Sequence, residues 1–454
     1  MKSHRNSSAE LGTEPIRRLL FRYALPAIIA MTAASLYNIV DSIFIGHGCG
    51  ALALGGLTVA KPFMDICAAF GSFVGVGAST LVAIFLGERN YTSASRVLGN
   101  VIVLNVILGA LIMVLGLIWL DPILYTFGAS VETIAYARDY MQVLLYGNIL
   151  THIYFGLNNV LRSMGHPKFS MVGTIVAVSV NVILDPLFIF YFDMGVRGAA
   201  WATIISQAIA VVWQMTIFFN PNELLHFRKG IWRLDRQITL RSFAIGASPF
   251  LMNLAHCLVV VIINNQLTRF GGDLALATYG IINRFTFVFA MIVMGLNQGM
   301  QPIVGYNYGA GQYPRMLRAF RLTAICATIV MGLVFLLGTL CPAWMIRMFT
   351  HDAVLLAQSI TPMRILTCSM WLVGFQMVTG NFFTSVGLAG KAIFLTLTRQ
   401  VLYLIPLSLL LPLLFTANPI SGVWWSLPVS DTISALTAVW MLSVQIAHFK
   451  NEHK

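Results

Sequence analysis

The chain has 454 residues, 58% of them hydrophobic and only 10% charged, with a formal net charge of +12. Soluble domains carry roughly 25% charged residues, and here apolar runs recur from end to end, so the composition excludes a soluble domain with a single anchor. The basic excess suggests a nucleic-acid partner, but its distribution along the chain rejects that reading.

Met1 to Pro15 is short and polar, and no small-residue cleavage site precedes the first apolar run, so no removable signal peptide is expected. Twelve spans are predicted, at roughly 19–45, 52–86, 97–120, 133–159, 169–192, 198–219, 242–268, 275–305, 319–340, 355–383, 392–416 and 421–447. With the N-terminus in the cytoplasm, 21 of the 28 Lys and Arg fall on that side. They cluster at Arg17-Arg18, Arg89 and Arg96, Arg162 and Lys168, Arg228 to Arg241, Arg315 to Arg321, Lys391 and Arg399, and the tail. That bias sets orientation by the positive-inside rule and puts both termini in the cytoplasm. The charge therefore reports topology and anionic lipid, and no phosphate-reading motif accompanies it.

The first span holds a carboxylate, in Tyr37-Asn38-Ile39-Val40-Asp41-Ser42. An acid at the centre of a membrane helix costs on the order of 2.5–3.5 kcal/mol and marks an ion site, a proton relay or a substrate contact by default. The plainer alternative is an Asp snorkelling near a helix end, since Gly46-His47-Gly48 follows closely. In the second span Lys61 and Asp65 are four apart and suit an internal ion pair. Charge neutralisation is the first reading for them, substrate contact the second.

The fifth span reads Asn181-Val182-Ile183-Leu184-Asp185-Pro186, with Asn181 one turn before Asp185 on the same face. Pro186 removes a backbone donor and should bend the helix. Thr203 in the sixth span adds a hydroxyl. Asp41, Asn181, Asp185 and Thr203 together would make a hard-oxygen site suited to Na⁺, and the same carboxylates, desolvated, could carry H⁺ instead. Ordinary interhelical hydrogen bonding is the alternative for Asn181 and Thr203.

The second half repeats the first with a shift of 222 residues. Phe63 meets Phe285, Gly77 meets Gly299, Gly87 meets Gly309, Arg96 meets Arg318 and Asn159 meets Asn381. The shift drifts by two later on, pairing Pro186 with Pro406 and Trp201 with Trp425. An even number of spans per repeat makes the halves parallel, related by an axis along the membrane normal, the usual plan of alternating-access transporters. The expected division is a first lobe over residues 1–219, a cytoplasmic linker over 220–237 and a second lobe over 238–454. The acid at Asp41 has no counterpart, since the matching position lies near Asn264. In the second half only Asp431 is expected inside a span, with Gln207 as its repeat partner. Arg284 is expected to be buried in the eighth span, able to pair across a cavity. Lys61, Asp65, Arg284 and Asp431 are thus the candidates for cavity and substrate contact.

The six cysteines are scattered without metal-like spacing and read as small buried residues. No H-E-x-x-H, G-x-x-x-x-G-K-[ST] or G-x-S-x-G occurs, so neither an enzyme nor a nucleotide-driven pump is indicated. The Met-rich, aromatic composition would suit an adaptable apolar cavity wall for organic cations.

Several local patterns resemble the MATE (multidrug and toxic compound extrusion) family. They are Ala24-Leu25-Pro26 with Asn38-Ile39-Val40-Asp41, Leu161-Arg162-Ser163-Met164-Gly165, Asn181 to Pro186, Gly195 to Thr203, and Gln301-Pro302-Ile303-Val304-Gly305-Tyr306-Asn307-Tyr308-Gly309. The resemblance covers essentially the whole chain. It implies an all-α integral membrane protein with twelve transmembrane helices in two pseudo-symmetric six-helix lobes, the MATE-type fold of the MOP flippase superfamily. The first-lobe acids look like the DinF-type branch, in which the matching residues form a cation site; this carries over to Asp41, Asn181, Asp185 and Thr203. The branch with acids in the seventh and tenth spans is not matched.

The resulting expectation is a monomeric antiporter of the bacterial inner membrane. It would export amphipathic, often cationic compounds against inward H⁺ or Na⁺, with no cofactor beyond that ion, no other metal and no nucleic-acid partner. A lipid-linked oligosaccharide or polysaccharide flippase of the same superfamily is the near alternative, and an integral-membrane enzyme the distant one.

Overall fold

The computed structural model describes residues 7–350 and 352–451, and among them every regular element is a helix. Nine helices are long and apolar enough to cross a bilayer, and a tenth crossing is the pair Ala353–Thr367 and Met370–Ser385, bent by 44°. Local chemistry supplies the other two. Arg236–Gly309 runs for 74 residues but reverses at Gly272, with φ 65° and ψ −164°. That conformation favours glycine, and a straight helix of this length would measure about 110 Å, far beyond a bilayer core. It is therefore the seventh and eighth spans. Ile134–Tyr146 and Asn148–Ser163, stepped at Gly147, form the fourth.

The remaining spans are Ile16–Cys49, Ala51–Gly87, Tyr91–Ile118, Pro167–Pro186 continued by Leu187–Tyr191, Gly195–Phe218, Tyr313–Leu340, Ala389–Leu414 and Pro419–Asn451. The third therefore stops at Ile118, and a short helix, Leu120–Thr126, follows it. The first shows no break at Gly46-His47-Gly48: the helix continues to Cys49 and turns at Gly50, where φ is 85°. Asp41 is thus two turns inside the helix and is buried, which removes the snorkelling alternative.

The backbone itself carries the duplication. Left-handed residues at Gly50, Arg89 and Gly165 recur at Gly272, Gly311 and Gly387, in the 222-residue register. The short helices Leu120–Thr126 and Pro342–Arg347 correspond, as do the steps before Asn148 and Met370. Turn geometry has been kept where side chains have diverged, because each of these positions sets the direction of the next span.

The two lobes meet through spans 1 and 2 of one and spans 7 and 8 of the other, at the end of the molecule where the chain termini emerge. Here backbones touch. A Cβ on Gly77 would lie 1.9 Å from the Ser242 carbonyl oxygen, one on Gly246 1.8 Å from that of Phe73, and one on Gly309 2.1 Å from that of Ile84. Small residues permit such approach between membrane helices. Gln301 Nε2 donates across the seam to Thr80 Oγ1 at 2.8 Å, Phe73–Phe243 stack with centroids 5.0 Å apart, and Phe70–Phe250 pack at a tilt with centroids 4.6 Å apart. The helix Ser7–Thr13 straps the same end, where Asn307 Nδ2 donates to the Leu11 carbonyl at 3.0 Å.

Towards the opposite end the same spans part. In span 2 residues 77–86 are continuously buried, whereas Leu52, Leu54, Thr58, Lys61 and Asp65 are exposed. In span 8 residues 299–305 are buried, whereas Asn283, Arg284, Phe287 and Val288 are exposed. The molecule is closed at the termini side and open at the other. Gly246→Val should wedge the seam, with overpacking of about 1–3 kcal/mol. We expect faster modification of single cysteines placed at positions 77–86 and transport reduced at least tenfold; unchanged labelling would show that the seam tolerates the wedge.

Candidate cation and substrate site

Asp41, Asn181, Asp185 and Thr203 do converge, inside the first lobe. Helical periodicity is the reason. Tyr37 and Asp41 are one turn apart on span 1, Asn181 and Asp185 one turn apart on span 5, and each pair faces the other. Asp185 is fully buried, Asn181 is 2% exposed and Asp41 5%. The two carboxyl groups lie within hydrogen-bonding reach of each other. Thr203 Oγ1 is 3.0 Å from the Tyr37 hydroxyl and 3.3 Å from the Asn181 amide. With its amide oriented to serve both neighbours, Asn181 donates to Asp185 Oδ2 at 2.8 Å and accepts from Thr203 N at 3.1 Å. After Pro186 the helix loosens into the wide turn Leu187–Tyr191, as expected where a backbone donor is missing.

Two tyrosines join the cluster that the sequence reading did not assign. Tyr37 had a visible signal, the i, i+4 spacing to Asp41. Tyr140, 2% exposed on span 4, lies beside Asp41 within electrostatic reach and had none, because its place depends on how span 4 packs. Asp41 Oδ1 is buried yet has no protein partner. A proton or a small hard cation fits this set, since oxygen ligands alone surround it and two adjacent carboxylates need a positive charge between them. Among the described residues no cluster of three or more His, Cys, Asp and Glu exists that would suit a transition metal. Tyr140→Phe should weaken ion dependence roughly fivefold without abolishing it, the loss of one polar neighbour of the carboxyl pair worth about 1 kcal/mol. A shift of the half-saturating ion concentration would show it, and an unchanged value would remove Tyr140 from the site.

The second lobe lacks this arrangement. In the repeat register Asp41 and Asp185 correspond to Ile263 and Ile405. Its buried acid, Asp431, is instead neutralised. Arg399 Nε donates to Asp431 Oδ1 at 2.8 Å, and Ser369 Oγ donates to Oδ2 at 3.0 Å. Arg399 therefore belongs inside the membrane region, on the loosened turn Thr398–Leu404 of span 11, and not with the cytoplasmic basic cluster. Gln207, the repeat partner of Asp431, accepts from Thr151 at 2.5 Å.

Lys61 and Asp65 form the expected pair, 2.6 Å apart, with both side chains about half exposed. They line the opening between lobes. Arg284 departs from expectation. It is exposed and has no ion-pair partner among the described residues, because span 8 borders the open half of the molecule where membership of a span does not bring burial.

Comparison with known proteins places this geometry. The MatE family model matches twice, at residues 26–187 and 249–410, one residue off the 222-residue register. The multidrug export protein MepA of Staphylococcus aureus (strain NCTC 8325) is 26% identical over 431 residues, covering 94% of this chain and 93% of MepA. MepA of Staphylococcus haemolyticus (strain JCSC1435) is 26% identical over 430 residues, with the same coverage. Among solved structures, the MATE multidrug transporter DinF-BH is 36% identical, with a TM-score of 0.86 over 95% of this chain and 96% of that one. A MATE crystal structure in the bent conformation superposes with a TM-score of 0.92 at 23% identity, over 98% of both chains, a likeness of fold. Two copies of one family domain, each reaching over five of the six spans of its lobe, cover most of the sequence, and the chain belongs to the MATE family of membrane transporters.

Proposed function

We propose that this protein is a cation-coupled antiporter of the DinF-like branch that exports amphipathic, often cationic, organic compounds across the bacterial inner membrane. The observation that carries the reading is the contact of Asp41 with Asp185, two buried carboxyl groups ringed by Asn181, Thr203, Tyr37 and Tyr140. H⁺ or Na⁺ bound there draws spans 1 and 5 together, and its departure leaves like charges adjacent. Cation and substrate thus stabilise different arrangements of the first lobe, as coupling requires. With the termini in the cytoplasm, as the 21-to-7 charge split favours (20 to 8 with Arg399 moved), the state described is outward-facing. One chain holds both lobes and the cation site, so a monomer suffices.

A flippase for a phosphorylated lipid would need several free cations in its path. Lys61 is held by Asp65 and Arg399 shares its charge with Asp431, so Arg284 alone stands at the opening without an acid among the described residues, which disfavours that reading. The test is efflux of a cationic dye from proteoliposomes under ΔpH and ΔNa⁺ imposed separately. One gradient should drive export and the other should not; export independent of both would overturn the proposal.

A further inference from the structure

The second-lobe ion pair is placed to do more than hold that lobe together. Arg399 carries five N–H donors in a fixed fork, and Asp431 engages only Nε. The remaining guanidinium donors have no protein partner among the described residues, although the residue lies mid-span and its side chain is 27% exposed. An arginine is costly at that depth unless it faces water or a ligand. It does not face lipid alone. His256 of span 7 is exposed and lies within electrostatic reach of both Arg399 and Asp65, the latter on the first-lobe wall. Tyr279 of span 8 lies within reach of Arg399 and Asp431. His256 is thus near an acid of the first lobe and the arginine of the second, and Ser248 of span 7 lies 3.3 Å from Thr396, one turn before Arg399 on span 11, so the Arg399 side of span 11 faces span 7. The Phe70–Phe250 and Phe73–Phe243 ring pairs lie on the termini side.

We propose that Arg399, oriented by Asp431, is a specificity-determining residue that recognises the anionic group, a carboxylate or one like it, of a transported amphiphile. Asp431 fixes the fork by its Nε edge and leaves the Nη edge for a planar anion, a geometry that arginine supplies and lysine does not. This deepens the proposed function, since it rests on the opening being the substrate path.

The test uses a xanthene dye with a free aryl carboxylate, a zwitterion, and its ethyl ester, a cation. Binding to purified protein is read by fluorescence polarisation without any gradient, and export is then measured in proteoliposomes. Wild type should bind the acid at least as tightly as the ester. In Arg399→Gln/Asp431→Asn, which keeps the lobe neutral, acid affinity should fall tenfold or more while ester affinity stays within twofold. Arg399→Lys, which keeps the charge, should lose most of the preference for the acid. Equal affinities of both dyes in the double variant and wild type, or a wild type that binds the ester alone, would overturn the assignment. Failure of gradient-driven export with the binding preference intact would instead count against the antiport reading.

Discussion

Asp41→Asn is expected to abolish gradient-driven efflux, a fall of at least a hundredfold, while leaving expression, monodispersity and substrate binding near wild type. Asn preserves the shape and one hydrogen-bond acceptor but can neither titrate nor supply charge to a cation. Removing a buried acid also eases insertion, by up to the roughly 2.5–3.5 kcal/mol that insertion scales assign to it, so poor folding is not the expected cause of the loss. Asp185→Asn should behave in the same way, since the two carboxyl groups are in contact and each completes the environment of the other. A variant exporting at the wild-type rate under a saturating gradient would remove that carboxylate from the coupling step.

Asp431→Asn should show the opposite pattern. Here the acid neutralises Arg399 and accepts from Ser369. Its removal leaves a mid-membrane guanidinium without its counter-charge, a class of change that costs about 3 kcal/mol, taken at the low end because Arg399 is partly exposed. We expect a clear drop in thermal stability in detergent and reduced expression. Coupling should survive in whatever protein folds, because the proposed cation site is in the other lobe. Arg399→Gln/Asp431→Asn should recover most of the lost stability. If Asp431→Asn were as stable as wild type but uncoupled, the acid would be a second coupling site.

The contrast between these two acids marks how far sequence reasoning reaches. Asp41, Asn181, Asp185 and Thr203 are legible because each is a polar residue in an apolar run, and helical spacing alone sets their faces. The register of the repeat is equally legible, since glycines at turns recur with their left-handed conformations. Partners supplied by packing are not. Tyr140 and the Arg399–Asp431 pair are brought together across 99 and 32 residues of chain respectively, and nothing local announces them. Arg284 escapes the reading because a span lining an open passage exposes residues that an average span would bury. The break expected at Gly46-His47-Gly48 fails for a related reason: helix in a bilayer continues through glycine unless a left-handed residue, here Gly50, turns it.

The central claim, that ion movement is tied to the Asp41–Asp185 pair, is tested most directly by reversing the flux. Proteoliposomes are loaded with substrate and given no ion gradient, and H⁺ or Na⁺ movement is recorded as substrate leaves. Wild type should show cation entering in fixed ratio to substrate exported, and Asp41→Asn should show none. Substrate leaving wild-type vesicles with no counterflow of either ion, or counterflow persisting in Asp41→Asn, would contradict the account.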